Sequence, residues 1–418
     1  MYDLLIKSAI HYQTGKQVDI AIKDGKISKI SSEIQDPARE SINASGQIVL
    51  PSFANMHSHL PMSLFKGLGA DLPLMEWLKN IIWPLEKELV SPQFVKDGAL
   101  LGIAEAIKSG TTLIMDMYFF EEELVSIAHD VNIRLAPGFG IVDFPTAVAK
   151  TPKEYIHRAK EFIKNLKNLP LINPCICPHS VYSCSKETLL SALEVALSEN
   201  IPIHIHCAEN KQEIELSLEK NGKRPAEYLH SLGLLTKKTF LAHCVYLEKH
   251  ERELIALSGS HVVHCPESNL KLSSGIAPIS QYIKENISVL IGTDGPASND
   301  DIDMLGEIRT MTLLQKLQSP TAITASLALS IAHAGFRALS INAGTLEENA
   351  EADLILIKTD LKPIDPQAQI VYSANRSDIT TVLCKGKPLL YKGQLTTIDE
   401  EELKIRATSW REKVLRLV

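Results

Sequence analysis

The feature that most constrains the fold is a regular alternation of strand-like and helix-like segments along the middle of the chain. Short apolar segments alternate with longer ones whose apolar residues recur at helical spacing. The predicted strands span residues 49–56, 111–117, 134–141, 171–177, 201–207, 239–245, 261–265 and 289–293. Eight strands with intervening helices over about 300 residues are typical of a (β/α)8 barrel.

A doubly wound open sheet would show the same local alternation. That fold usually carries a glycine-rich GxGxxG turn after its first strand, and none is present here. Residues suited to chemistry also follow many strands, rather than one point where the strand order reverses. This distribution favours the barrel, whose active sites lie at the carboxyl ends of its strands.

The two ends of the chain have a different pattern from the middle. Asp24-Gly25 is a hairpin signal between two short alternating segments, and residues 352–357 and 381–387 repeat this style. We predict a small β-sandwich built from residues 1–50 and 344–418, with a C-terminal helix, around a barrel of residues 51–343.

Composition excludes several classes of partner. The net charge is -7 and the chain contains no basic run, so neither nucleic acid nor an anionic membrane surface is expected to bind. We find no signal-peptide layout and no apolar run of roughly 18 residues. The seven cysteines are an odd number and lie in strand-like segments, which favours reduced thiols and a cytoplasmic location.

Four residues of metal-binding type stand at the ends of predicted strands. His57 and His59 lie two apart, so in a strand both side chains point to one face. His206 and Asp294 follow later strands. Three imidazoles and one carboxylate suit a divalent ion, foremost Zn²⁺, and leave one position open for water. Fe²⁺, Co²⁺ and Mn²⁺ suit the same donors.

Two further residues could act on that water. Glu209 comes three residues after His206, at the end of the same strand, and is the candidate for moving protons. His243 ends the next strand and could polarise or orient the water. His204 shares a face with His206 but lies deeper in the strand, so we predict a buried structural role for it.

Several motifs resemble those of the amidohydrolase superfamily. The sequence Pro-Ser-Phe-Ala-Asn-Met-His-Ser-His at residues 51–59 resembles the opening motif of that superfamily. Later motifs resemble its 5-methylthioadenosine/S-adenosylhomocysteine deaminase branch, which is related to the triazine chlorohydrolases. These motifs occupy residues 60–67, 71–78, 177–185, 206–209, 241–245, 264–272 and 292–299. The resemblance runs through essentially the whole chain, in the same order.

The resemblance implies a function and a set of site residues. The function is metal-dependent hydrolytic deamination of 5′-substituted adenosines, such as 5′-methylthioadenosine, S-adenosylhomocysteine or adenosine, to the inosine analogue and ammonia. A homo-oligomer, a dimer or larger, is also expected. The implied ligands of a single metal ion are His57, His59, His206 and Asp294, and the implied substrate contacts are Glu86, His179, Glu209 and Asp294.

The chain departs from related proteins in two places. Two-metal members carry a bridging lysine after the fourth strand, whereas here that strand is followed by His179 and the next lysine is Lys186. This favours one ion per chain. Many family members have arginines after the third strand, but residues 138–146 contain none and the next arginine is Arg158.

The sequence also leaves other functions open. A triazine-type chlorohydrolase releases chloride, which leaves without protonation, so the presence of Glu209 favours deamination. A guanine- or cytosine-type deaminase would act on a free base, for which a ribose-binding carboxylate at Glu86 has no use. A catalytically silent protein on this fold is a third alternative, although every predicted ligand position holds a competent residue.

Overall fold

The computed structural model describes residues 1–69 and 71–418. The strands are β1 (Tyr2–His11), β2 (Gln17–Lys23), β3 (Lys26–Ser31), β4 (Ala38–Asn43), β5 (Gln47–Pro51), β6 (Phe53–Ser58), β7 (Thr111–Tyr118), β8 (Arg134–Ile141), β9 (Cys175–Pro178), β10 (Ile203–Cys207), β11 (Thr239–His243), β12 (His261–His264), β13 (Ser288–Ile291), β14 (Leu354–Lys358), β15 (Ile379–Cys384), β16 (Lys387–Tyr391) and β17 (Gln394–Leu395).

The helices lie mainly between the strands of the middle segment. They are α1 (Leu74–Trp77), α2 (Trp83–Leu89), α3 (Pro92–Lys108), α4 (Glu121–Val131), α5 (Pro152–Leu166), α6 (Lys186–Glu199), α7 (Lys211–Asn221), α8 (Pro225–Ser231), α9 (Lys249–Ser258), α10 (Pro266–Lys271), α11 (Ile279–Lys284), α12 (Pro296–Asn299), α13 (Met304–Lys316), α14 (Ala325–Ala338), α15 (Pro366–Tyr372) and α16 (Glu400–Leu415). A π-helical turn at Leu78–Ile82 joins α1 to α2. Among the described residues, no helix combines the length and apolarity needed to cross a membrane.

Strands β6 to β13 form the predicted barrel. Each pairs in parallel with the next in chain order, and a parallel bridge between Ser58 and Asp294 links the last strand region back to the first. Gly292 permits this closure, because a Cβ atom there would lie 2.6 Å from the backbone nitrogen of His57. The (β/α)8 architecture predicted from the alternation is therefore confirmed.

The remaining strands form one mixed sheet from both chain ends. Its path runs β17-β16-β15-β14-β5-β1-β2-β3, with β4 paired to β1. The N-terminal and C-terminal parts meet where β5 pairs antiparallel with β14, with Pro51 opposite Leu354. Both chain ends therefore contribute strands to one mixed sheet that is separate from the barrel sheet.

The predicted strand 49–56 is wrong in one respect, because it is two strands in different sheets. Strand β5 ends at Pro51 in the small sheet, and β6 begins at Phe53 in the barrel. Between them, the Ser52 amide donates to the Asp353 carbonyl oxygen and the Ser52 hydroxyl lies 2.6 Å from that of Thr112. The run is apolar throughout because both strands are buried, so the pattern alone gives no sign of the change of sheet.

Candidate metal centre and active site

The four predicted ligands meet at the carboxyl end of the barrel. Each offers one donor atom, and these atoms all lie within 4.8 Å of one another. Asp294 Oδ1 lies 3.4 Å from His57 Nε2 and 3.2 Å from His59 Nε2, and His206 Nε2 lies 3.4 Å from His59 Nε2. We call His57, His59, His206 and Asp294 the His/Asp cluster.

The protonation states of the His/Asp cluster suit a cation. Burial lowers the pKa of His57 to about 4 and that of His206 well below its usual value, so both imidazoles are neutral. Burial also opposes protonation of His59, but Asp294 outweighs it and raises the pKa of His59 to about 9. The carboxylate thus stabilises positive charge at the centre of the cluster, which a divalent cation would supply.

One atom of the His/Asp cluster tests directly whether these residues fit a metal ion. His57 is fully buried, and its Nε2 atom has no hydrogen-bond partner among the described residues. A buried polar atom left without a partner is costly, and metal coordination would satisfy it. The donor set of three imidazole nitrogens and one carboxylate oxygen therefore fits a borderline ion such as Zn²⁺.

The Nδ1 atom of each imidazole in the His/Asp cluster also has a polar partner. The Nδ1 atom of His59 donates to the Met117 carbonyl oxygen, and that of His206 donates to the His179 carbonyl oxygen over 2.8 Å. The Nδ1 atom of His57 lies 3.0 Å from Nε2 of His204. Such outer contacts fix the tautomer and the ring orientation. His204 is buried as predicted, and it contacts His57 directly.

Asp294 is held by groups for which the sequence indicated no role. The Gly295 amide donates to Oδ1 over 2.7 Å. The hydroxyls of Ser268 and Ser298 donate to Oδ2 over 2.6 Å and 3.1 Å. Both serines lie within the motifs that carry the family resemblance, but the chain gives no local signal that they would converge on one carboxylate.

Glu209 is buried beside the His/Asp cluster. Burial, followed by the charge of Asp294, raises the pKa of Glu209 to about 8. Its Oε1 atom accepts a hydrogen bond of 3.2 Å from Ser274. The Glu213 carboxylate accepts from the backbone amides of Ala208 and Glu209 and fixes the turn that presents this side chain. Glu209 is thus a carboxyl group that can hold a proton near neutral pH.

His243 ends β11 and faces Glu209. The Asn269 amide donates to His243 Nδ1 over 3.0 Å, which leaves the proton of the neutral ring on Nε2. Burial lowers the pKa of His243 to about 4, so the ring is uncharged. Its Nε2 atom lies 3.8 Å from Glu209 Oε2. The ring can therefore donate a hydrogen bond into the site.

The backbone at three strand ends adopts conformations that non-glycine residues rarely take. The φ angles are +51° at Ala208, +72° at His243, +50° at Cys244 and +61° at Asp294. Positive φ costs energy in residues with a Cβ atom and often occurs at functional sites. These turns aim Glu209, His243 and Asp294 toward one point.

Glu86 and His179 line the cavity that adjoins the His/Asp cluster. The Tyr118 hydroxyl donates to Glu86 Oε1 over 2.6 Å, and burial raises the pKa of Glu86 to about 7. His179 directly follows β9, and its Nδ1 atom lies 3.0 Å from the Ser183 hydroxyl. Burial lowers the pKa of His179 to about 3, so its ring is neutral. Helix α2 thus supplies Glu86 to the cavity lining, and the segment after β9 supplies His179.

The cavity has a volume of about 600 Å³. The predicted site residues other than the fully buried His57 line it: His59, Glu86, His179, His206, Glu209, His243 and Asp294. Its size suits a small organic molecule. Tyr118, which the sequence did not single out, lines it as well.

Comparison with known proteins agrees with this arrangement. The chain is 52% identical to the 5-methylthioadenosine/S-adenosylhomocysteine deaminase of Aquifex aeolicus, over 99% of this chain and 98% of that protein. It is 33% identical to an adenosine deaminase from Xanthomonas campestris whose crystal structure has bound zinc, with a TM-score of 0.96 over 100% of this chain and 99% of that one.

A more distant structure shares the fold alone. The atrazine chlorohydrolase of Arthrobacter aurescens, complexed with zinc, is 21% identical, with a TM-score of 0.90 over 98% of this chain and 100% of that one. Residues 48–389 match the model of the amidohydrolase family. The chain that gathers three histidines and an aspartate at the mouth of an eight-stranded barrel therefore belongs to the amidohydrolase family.

Proposed function

We propose that this protein catalyses hydrolytic deamination of 5′-substituted adenosines, giving the inosine analogue and ammonia. The observation that carries this function is Glu209, a buried carboxyl group with a raised pKa beside the His/Asp cluster. The 52% identity to a deaminase of 5-methylthioadenosine and S-adenosylhomocysteine supports the same substrate class. The substrates we propose are 5′-methylthioadenosine, S-adenosylhomocysteine and adenosine.

We propose that His57, His59, His206 and Asp294 hold one divalent ion per chain, foremost Zn²⁺. Zinc bound in the Xanthomonas campestris deaminase supports this choice. When bound, such an ion acts as a Lewis acid and lowers the pKa of water from about 15.7 towards about 7.

The side chains around the His/Asp cluster supply the proton transfers. Water adds to the amino-bearing carbon of the adenine ring, and Glu209 accepts its proton and passes it to the neighbouring ring nitrogen. The remaining proton of that water then passes from the added hydroxyl to the amino group, the carbon–nitrogen bond breaks, and ammonia leaves as the ring carbonyl forms. His243 donates from Nε2 to the oxygen that is being added, and His179 and Asp294 contact the substrate.

Product analysis separates deamination from chloride release. The purified protein should release ammonia from 5′-methylthioadenosine, with a matching loss of adenine absorbance. Atrazine, guanine and cytosine serve as competing substrates. Chloride release from atrazine, or turnover of a free base, in the absence of ammonia from any nucleoside would contradict the proposal.

The assembly and location of the protein are further proposals. A homo-oligomer and a cytoplasmic location fit a nucleoside-metabolising enzyme with buried, unpaired cysteines. Size-exclusion chromatography with light scattering measures the first, and fractionation of cells measures the second.

Glu86→Ala is expected to lower kcat/KM for adenosine-type substrates by about 10²-fold or more, without changing metal content. A carboxylate can accept hydrogen bonds from both ribose hydroxyls, and charge-assisted bonds of this kind contribute about 1.5–3 kcal/mol in addition to their effect on orientation. The 2′,3′-dideoxy analogue of 5′-methylthioadenosine provides the matched comparison. A wild type that turns over both nucleosides equally well would rule out a ribose contact at Glu86.

His204→Phe is expected to lower metal affinity by about 10–100-fold, because outer contacts to ligating histidines typically have effects of this size. Phenylalanine keeps an aromatic ring, although a larger one, but removes the acceptor that lies 3.0 Å from His57 Nδ1. Affinity is measured by competition with a chromogenic chelator, which does not depend on activity. His204→Gln, which retains an acceptor, should bind metal within about fivefold of the wild type. Equal affinity in all three proteins would show that this contact is immaterial.

A further inference from the structure

One part of the cavity lining is an aromatic wall. Trp83 on α2 and Phe144 in the segment after β8 face each other with ring centroids 5.7 Å apart and planes inclined by 54°. Phe144 is 38% exposed, although it is a large apolar side chain. The wall continues with aliphatic and aromatic side chains of Leu78, Ile82, Phe119, Val142 and Pro145. A contiguous apolar surface of this kind often marks a ligand-binding groove.

The position of Trp83 relates this wall to the substrate. Trp83 and Glu86 are three residues apart in α2, so their side chains lie on neighbouring parts of one helix face. The π-helical turn Leu78–Ile82 directly precedes them, and turns of this kind often occur at functional sites. If adenine lies at the His/Asp cluster and the ribose hydroxyls at Glu86, as proposed above, the 5′ substituent is the remaining part of the nucleoside, and this wall is the surface available to it.

The charges near the wall are few and stand at its edge. Lys87 and Lys150 are the cationic side chains other than histidine that line the cavity in the described part of the chain, and both are exposed. The Lys150 ammonium donates to the Thr146 carbonyl oxygen over 2.9 Å. Arg158, the first arginine after β8, donates to the Val148 carbonyl oxygen and does not line the cavity. The wall itself therefore presents apolar and aromatic surface.

We propose, on the basis of the function proposed above, that Trp83 and Phe144 form a subsite for a thioether at the 5′ position. Divalent sulfur makes favourable contacts with aromatic rings. The 5′-hydroxyl of adenosine would instead give up its water partners without gaining a hydrogen bond from this wall. The subsite makes 5′-methylthioadenosine a better substrate than adenosine.

The test compares kcat/KM for 5′-methylthioadenosine and adenosine, which differ only at the 5′ position. We expect the wild type to favour the thioether by about tenfold or more, the range typical of one small apolar group in a fitted pocket. Trp83→Ala and Phe144→Ala should each lower this ratio by about fivefold or more, mainly by reducing turnover of the thioether. Adenosine should change by less than about threefold.

Two variants serve as matched controls. Trp83→Phe keeps an aromatic ring and should keep most of the preference. Lys87→Met alters the same helix at the cavity edge and should leave the ratio unchanged. Because Phe144 is exposed, Phe144→Ala tests the subsite even if Trp83→Ala fails to fold, and the thermal midpoint of each variant identifies such a failure.

The outcomes distinguish this inference from the proposed function. If neither nucleoside yields ammonia, the deaminase function itself is wrong. If both are deaminated with equal kcat/KM, or if both alanine variants keep the wild-type ratio, the enzyme is a deaminase and the aromatic subsite is wrong. A selective loss of S-adenosylhomocysteine turnover in Lys150→Met, with unchanged ratios in the ring variants, would also overturn it.

Discussion

Replacing Glu209 by glutamine is expected to lower kcat by about 10²–10⁴-fold while metal content and fold remain unchanged. The amide has nearly the same shape and can still accept the hydrogen bond that Ser274 donates to Oε1. It cannot take a proton from water and deliver it to the ring nitrogen. Backbone bonds to Glu213 hold this turn, so the substitution removes the proton carrier and leaves the site in place.

The measurement combines steady-state ammonia release with elemental analysis and thermal unfolding. Ser274→Ala is the matched control, because it removes only the 3.2 Å hydrogen bond to Glu209. It should lower kcat by less than about tenfold, as expected for one neutral hydrogen bond. A Glu209→Gln protein with near wild-type turnover and normal metal content would mean that another group moves the proton.

Asp294→Asn is expected to lower kcat further than Glu209→Gln and to reduce metal content. Asp294 Oδ1 lies between His57 and His59 at the centre of the His/Asp cluster, and it is the only carboxylate of the four predicted ligands. An amide weakens a ligand and removes the negative charge that stabilises a cation there. It also removes a charge that can hold the attacking water.

Metal analysis and chelation test whether activity depends on the ion that Asp294 is proposed to bind. The wild type should contain one divalent ion per chain, chelation should abolish activity, and added Zn²⁺ should restore it. Ser298→Ala, which removes a 3.1 Å contact to Asp294 Oδ2, should keep the metal and most of the activity. A fully active protein without metal would contradict the proposed metal-dependent mechanism.

The barrel and the position of its active site could be predicted from the sequence. Parallel strands joined by helices connect with one handedness, and the missing GxGxxG turn, together with chemistry-type residues after many strands, separates the barrel from a doubly wound sheet. The same logic locates the site, because residues that follow successive barrel strands gather at one rim. His57, His206 and His243 each stand at such a position, and the ring centroid of His57 lies 4.8 Å from that of His206 and 5.3 Å from that of His243.

The partners of these residues were decided by the tertiary structure alone. Periodicity tells which face of a strand a side chain occupies, but it does not tell which distant side chain lies opposite. His57 and His204 are 147 residues apart and lie 3.0 Å from each other. The Ser268 hydroxyl likewise donates a hydrogen bond to Asp294, and the Tyr118 hydroxyl donates one to Glu86, between residues that are distant in the chain.

The change of sheet and the backbone turns at the rim were also beyond the sequence pattern. Ser52 separates two buried strands whose apolar character is continuous, so only the pairing of β5 with β14 reveals the boundary. The positive φ angles at Ala208, His243 and Asp294 are uncommon for residues other than glycine. The sequence by itself determined which residues stand at the rim of the barrel, whereas packing across the barrel determined where they point, because local strain of this kind persists only where surrounding contacts hold it.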